Sequence, residues 1–324
     1  MTNPINLFFA FLILIACKEN PNVNVTTQEI SLSETSISKT SLVILGTIQD
    51  AGSPHIACKK ECCVNLFKNE NIHRKVVSLG VIDPQNGKTF LFEATPDITT
   101  QLKKLKELAN IEKELPDGIF LTHAHIGHYT GLMYLGKEAT NASSIPVYAM
   151  PRMKSFLESN GPWSQLVTNS NIELQALTDR NEIQVTSNLK VTPFTVPHRD
   201  EYSETVGFII EGPSKSVLFI PDIDKWDKWE RPIIEAISEV DYAFIDATFY
   251  DGVELNNRDI SEIPHPFIIE SMALFNNLPQ SEKTKIHFIH FNHTNPVLNP
   301  ESEAYNTIIN NGFNISKIHD LIQL

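Results

Sequence analysis

An α/β layered fold is predicted for this chain, on three observations. Short apolar runs alternate with segments whose apolar residues recur every three or four positions, the pattern of strands interleaved with helices. Five of the apolar runs finish on a His or an Asp, and strand ends along one sheet edge are where such folds gather ligands and catalytic groups. From Ser41 onward no repeat, low-complexity tract or linker interrupts the chain. One domain over residues 41–324 is therefore expected.

The elements follow in order. Leu7 to Ala16 is a ten-residue apolar run, about half the roughly 20 residues that a membrane-spanning helix needs. It ends in Leu14-Ile-Ala-Cys17, which resembles a bacterial lipobox, so residues 1–17 are expected to be a lipoprotein signal peptide with Cys17 as the lipidated residue. A simple cleaved signal or a mis-assigned start is the alternative, because Met1 to Asn6 carries no Lys or Arg. Residues 18–40 read as a flexible tether. The expected location is the bacterial cell envelope, membrane-anchored and facing periplasm or cell surface. Ser41–Leu45, Val76–Ile82 and Thr89–Glu93 read as strands. Ile98, Leu102, Leu105 and Leu108 share one helical face, and Pro151–Ser159, Trp229–Val240, Pro266–Leu278 and Glu301–Asn310 also read as helices.

The later strands carry the chemistry. Gly118-Ile-Phe-Leu runs into His123 and His125, Val191-Thr-Pro-Phe-Thr-Val into His198, and Ser216-Val-Leu-Phe-Ile into Asp222. Tyr242-Ala-Phe-Ile ends on Asp246 and Ile286-His-Phe-Ile on His290. A random scatter of 11 His would not mark strand ends so regularly. Bulk properties set limits on function. A hydrophobic content of 41% and a charged content of 20% exclude wholesale disorder. The net charge of −13 argues against tracking a nucleic-acid backbone. Small anionic substrates stay open, because a bound dication reverses the local potential.

His123-Ala-His125-Ile-Gly127-His128 is the centre of the argument. Two residues apart at a strand exit, His123 and His125 can point the same way, and the next turn can bring His128 beside them. Neutral imidazoles suit Zn²⁺, and also Fe or Mn when carboxylates join them. Three surface histidines in a loop would be the inert alternative.

This segment, followed by His198, Asp222 and His290, resembles the metallo-β-lactamase superfamily over about residues 41–300. The resemblance implies an αββα sandwich of two mixed β-sheets flanked by helices, with a mono- or binuclear metal site at one edge. By position it implies that His123, His125 and His198 hold one ion, that Asp222 bridges, and that His128 and His290 hold a second. The family motif is H-x-H-x-D-H, and its Asp position here is Gly127. Weaker second-metal binding, a single working metal, or a substitute such as Asp224 or another nearby carboxylate would each follow; two sites of unequal affinity are expected.

Leu45-Gly-Thr-Ile-Gln-Asp-Ala-Gly52, Ala94-Thr-Pro-Asp97, Asp246-Ala-Thr-Phe249 and Ile289-His-Phe-Asn-His-Thr-Asn-Pro-Val-Leu298 resemble the branch containing coenzyme PQQ synthesis protein B. That branch commonly lacks the first two His of H-x-H, which this chain has. The carbon–phosphorus-lyase-pathway cyclic phosphodiesterase shares a cysteine cluster after the first strand and an H-x-x-H near the end. It implies a structural zinc on Cys58, Cys62, Cys63 and His293, with His55 in reserve. One disulfide plus a free thiol is the alternative in an exported protein.

Hydrolysis is the expected chemistry: a bound ion lowers the pKa of water from 15.7 toward about 7 and makes hydroxide available. Asp222 would orient that nucleophile, and His290 or His265 would steady the leaving oxygen. Phosphodiesters or cyclic phosphates lead as substrates. An iron-dependent oxidoreductase resembling the PQQ branch, or a non-catalytic metal-binding surface lipoprotein, stand as alternatives. Asp97 is read either as an orienting partner of the H-x-H pair or as a helix N-cap. Oligomeric state leaves no mark on the sequence.

Overall fold

A computed structural model describes residues 37–69, 74–255 and 259–324. The expected signal peptide with Cys17, and the tether up to residue 36, lie outside the described residues. Ser36–Leu324 forms one compact unit. Among the described residues, no helix is long and apolar enough to cross a membrane.

Two seven-stranded sheets face each other. The first contains β1 (Ser41–Gly46), β2 (Ser78–Asp83), β3 (Lys88–Phe92), β4 (Gly118–Phe120), β5 (Ile145–Ala149) and β6 (Ile172–Ala176), with β14 (Leu321–Gln323) beside β1. The second runs β13-β12-β11-β10-β9-β8-β7. Its strands are β7 (Ile183–Thr186), β8 (Leu189–Thr195), β9 (Val206–Glu211), β10 (Ser216–Ile220), β11 (Tyr242–Asp246), β12 (Ile286–Ile289) and β13 (Asn314–Ile315). Strands β3 to β6 are parallel, as are β10 to β13, and the remaining pairs are antiparallel. Both sheets are mixed.

Three apolar clusters separate four layers. Leu42, Ile44, Phe92 and Phe120 of the first sheet meet Phe208, Phe219, Phe244 and Ile289 of the second. On the outer face of the first sheet, Val43, Leu91 and Val147 pack with Ile98, Leu105, Met153 and Leu157 of the helices Ile98–Ala109 and Pro151–Ser159. Outside the second sheet, Leu218, Ile245 and Phe288 pack with Ile233, Ile237, Ile268 and Ile308 of the helices Ile233–Ser238, Ile268–Leu274 and Glu303–Asn310. The predicted αββα sandwich is the observed fold.

Strand ranges agree with the sequence reading to within two residues wherever a strand was expected. The helix expected over Trp229–Val240 starts later, at Ile233, with Pro232 as its N-cap. A proline inside that span has no N–H for the helix ladder and clashes with the preceding turn, so Trp226–Lys228 winds into a separate 3-10 turn.

Strand direction fixes the site. Strand β8 is antiparallel to β9, and β9 to β10, so β8 runs with β10, β11 and β12. Likewise β1 is antiparallel to β2, and β2 to β3, so β1 runs with β3 and β4. The C-terminal ends of all these strands open on one edge.

Candidate metal centre

Every histidine and carboxylate that the sequence placed at a strand end arrives at that edge. Within a common radius stand two donor sets, His123, His125, His198 and Asp222, and then Asp50, His128, Asp222 and His290. In each, one donor atom per residue lies within 4.8 Å of the others. Asp222 belongs to both.

The first set is built from three strand exits. His123 Nε2 lies 2.8 Å from His125 Nδ1 and 3.4 Å from Asp222 Oδ2. His198 Nε2 lies 3.2 Å from Asp222 Oδ1, and both atoms are buried without a hydrogen-bond partner. Orphaned buried polar atoms need an explanation, and a cation shared by them supplies one. Four ligands at about 2.1 Å around a tetrahedral ion stand about 3.4 Å apart, and the pairs here run from 2.8 to 4.0 Å about that value. The donor set fits a metal ion.

The second set starts on the turn Ile126–Tyr129. His128 Nε2 and His290 Nε2 each lie 3.2 Å from Asp50 Oδ1, and 3.8 and 4.0 Å from Asp222 Oδ2. Asp224 is elsewhere: its Oδ1 lies 3.8 Å from Nδ1 of His198, on the ring edge away from Asp222. The carboxylate that lies beside His128 is thus Asp50, while Asp224 is beside His198.

On His123, His125 and His290 the opposite nitrogen meets a hydroxyl or carboxylate, the pattern that fixes ring orientation and tautomer around metals. On His128 and His198 it faces a carboxylate without a hydrogen bond. His123 Nδ1 meets the Thr122 hydroxyl at 2.9 Å, and His290 Nδ1 the Thr248 hydroxyl at 2.8 Å. His128 Nδ1 is 3.2 Å from Glu93, and His125 Nε2 is 3.4 Å from Glu201. Glu93 and His290 both sit at positive φ, 77° and 69°. Non-glycine residues at positive φ carry strain, and such outliers cluster at functional sites.

His265 joins from the segment ahead of the helix Ile268–Leu274. Its Nδ1 is 2.9 Å from Asp246 Oδ2 and 3.2 Å from Asp222 Oδ1. The other Asp246 oxygen accepts from the backbone N–H and hydroxyl of Thr248. Asp97 is the N-cap residue of the helix Ile98–Ala109, one of its two expected roles. Its carboxylate accepts from the Val76 N–H at 2.8 Å and makes no side-chain cap bond to the helix that follows.

Electrostatics match the geometry. Burial opposes charge on Asp222, yet His198, His265 and His290 outweigh it and hold the carboxyl well below its usual range. Asp50 behaves likewise against His128 and His290. Burial, reinforced by His128, pushes His123 well down, so it stays a neutral ligand. For His265 and His290 burial is outweighed by the facing carboxylates, which raise them to about 10 and about 9.

A third cluster joins Cys58, Cys62, Cys63 and His293. The Sγ atoms of Cys58 and Cys62 are 4.0 Å apart, and those of Cys62 and Cys63 are 3.9 Å apart. A disulfide needs about 2.05 Å, whereas thiolates at about 2.3 Å from one tetrahedral zinc stand about 3.8 Å apart. All three thiols are free. Burial, with His55 and Lys60 adding to it, lowers His293 to about 4, so its ring is neutral and able to coordinate. His55 stacks on His293 at 4.3 Å rather than joining the donors.

Two residues escaped the sequence reading. Glu93 follows the apolar run of β3 just as His and Asp follow the other runs. Asp50 stands four residues past the end of β1, and the antiparallel steps from β1 to β3 were the signal that would have brought it to this edge.

With that geometry in place, the family is clear. Residues 88–288 match the family described as Beta-lactamase superfamily domain, and the chain belongs to it. Among curated relatives, coenzyme PQQ synthesis protein B of Methylococcus capsulatus is 23% identical, over 84% of this chain and 96% of its own length. Zn(2+)-bound PqqB from Methylobacterium extorquens superposes with a TM-score of 0.71 at 20% identity, covering 88% of this chain and all of that one. A diphosphatase from the PhnP family superposes at 0.61, with 20% identity, over 88% of this chain and 96% of that one. At such identities the likeness of these structures speaks for the fold.

Proposed function

We propose that this chain is a metal-dependent hydrolase acting on a phosphodiester or cyclic phosphate. One observation carries the reading: two complete donor sets meet at a single buried carboxylate, Asp222. His123, His125 and His198 would hold the first ion and His128 and His290 the second, with Asp222 between them. Zinc suits both, and iron or manganese suits the same His and carboxylate donors. When bound, such ions polarise a phosphoryl oxygen and make water acidic enough to attack near neutral pH.

The remaining chemistry belongs to the side chains. Asp222 orients the nucleophile. Both nitrogens of His290 are engaged, by Asp50 and Thr248, so His265 is the histidine left to steady the leaving oxygen. Its Nδ1 is held by Asp246 at 2.9 Å, which leaves Nε2 to meet that oxygen. A diphosphatase of the PhnP family with this fold acts on phosphorus, and the choice of a phosphorus substrate follows that example.

A panel of chromogenic phosphodiesters, esters and lactones tests this, run beside a metal inventory of the purified protein. The wild type should cleave bis(4-nitrophenyl) phosphate, and His125→Ala should be slower by about 100-fold or more. Turnover confined to esters or lactones would sink the phosphodiester reading, and indifference to His125→Ala would sink the hydrolase. The PQQ-synthesis relatives keep a second reading in view, an iron-dependent oxidoreductase. Iron in the inventory together with oxygen uptake would decide for it.

For Cys58, Cys62, Cys63 and His293 we infer a structural zinc. Replacing Cys58 and Cys62 together by Ser should remove one zinc per chain and lower the melting temperature. Unchanged zinc content and melting temperature would end the assignment.

A further inference from the structure

We propose that Asp50, carried on the loop after β1, is a direct ligand of the second active-site ion, and that Gly127 is the vacancy that admits it. The inference rests on the metal-site reading above and deepens it. Its starting point is a missing group. His128 lies in His-Ala-His-Ile-Gly-His, where Gly127 offers no side-chain donor, so His128, His290 and Asp222 alone would leave that ion short of an anionic ligand.

The structure fills the place from another part of the chain. Asp50 Oδ1 lies 3.2 Å from both His128 Nε2 and His290 Nε2, close to the roughly 3.4 Å expected between ligands of one tetrahedral ion. The atom is equidistant from the two ring nitrogens, and its donor set with Asp222 lies within 4.8 Å. Backbone contacts aim it there. The Gln49 N–H donates to the Phe291 carbonyl at 2.9 Å, and the Phe291 N–H to the Thr47 carbonyl at 2.8 Å. The loop carrying Asp50 is thus zipped to the residue that follows His290.

Gly127 and Asp50 explain each other. A Cβ on Gly127 would fall 2.3 Å from Asp50 Cα and 2.5 Å from Asp50 Cβ, and the nearest obstacle is backbone. No side chain fits at 127 while the loop lies as it does. An aspartate at 127 and the observed position of Asp50 exclude one another. Only the two together account for both the absent donor and the occupied space.

The test uses Mn²⁺ alone as probe, since it prefers oxygen and nitrogen donors over thiolates, and titrates the metal-stripped full chain by calorimetry. The wild type should bind two ions at the His/Asp cluster. Asp50→Asn keeps the shape but loses the charge, and should bind one ion as before while the other weakens by about 100-fold or more. Gly127→Ala changes no donor yet pushes on the Asp50 backbone, and should weaken the same ion. Two ions of wild-type affinity in both variants would overturn the proposal and leave the metal-site reading intact. A wild type that binds no Mn²⁺ and no Zn²⁺ at this cluster would overturn that reading, and the proposal with it.

Discussion

Replacing Asp222 by Ala should lower the turnover of bis(4-nitrophenyl) phosphate by about 10³-fold or more and cost the protein both active-site ions. The expectation follows from position. Asp222 is 2% exposed and supplies the carboxylate that both donor sets share. Its oxygens lie between 3.2 and 4.0 Å from donor nitrogens of His123, His125, His128, His198, His265 and His290. Removing it leaves six imidazoles facing one another around an uncompensated centre. Loss of a single peripheral ligand would weaken one ion; loss of Asp222 weakens two at once. Steady-state rates and metal content of the variant check this, and a variant that keeps its ions and a tenth of its rate would refute it.

Stripping the metal should make stability depend on pH in the opposite sense from loading it. In the metal-free protein the facing carboxylates raise His265 to about 10 and His290 to about 9, despite burial, and His128 is raised well above its usual value by Asp50 and Glu93. A group raised in the folded state adds stability that is whole below its unfolded pKa, near 6.5, and fades as pH climbs through the folded value. Asp50 and Asp222 are depressed, so their contribution is present above about pH 4 and fades as pH falls. His123 and His293 are depressed instead, and a depressed imidazole costs stability as pH falls below about 6.5. The stripped protein should thus be most stable near pH 6.5 and lose stability both toward about pH 4 and toward about pH 10. Metal ions require two of these imidazoles, His128 and His290, unprotonated, so the gain in melting temperature on adding zinc should widen from pH 6 to pH 9. A gain that narrows over that range would refute the linkage.

The layered fold was legible because the strands are nearly continuous apolar runs bounded by polar segments, and because sheets buried on both faces demand such runs. Most of the site was legible for a related reason: His123, His125, His198, Asp222, Asp246 and His290 each close an apolar run. Asp50 was not, because its role depends on a neighbour 78 positions away in sequence, His128, and a substitute for a missing ligand was sought close to the existing ones. Asp224 was nearest in sequence to Asp222, but it falls on the opposite edge of the His198 ring. Glu93 hides for a local reason. At φ 77° it leaves the extended path of β3, so strand alternation does not say where its side chain goes. The helix start at Ile233 could have been read from Pro232 alone.

The segment after β1 bears Asp50 near one end and the three thiols near the other, and His293, the thiols' imidazole partner, follows His290 by three positions. With zinc on the thiols, this stretch is clamped at both ends against the strand that supplies His290. Binding at two places on one tether is reciprocal: whatever factor the thiol-held zinc contributes to retention of the second catalytic ion, that ion returns to the zinc. An oxidant that strikes Cys58, Cys62 and Cys63 should then, if both sites hold their ions, lower turnover without touching the catalytic pocket.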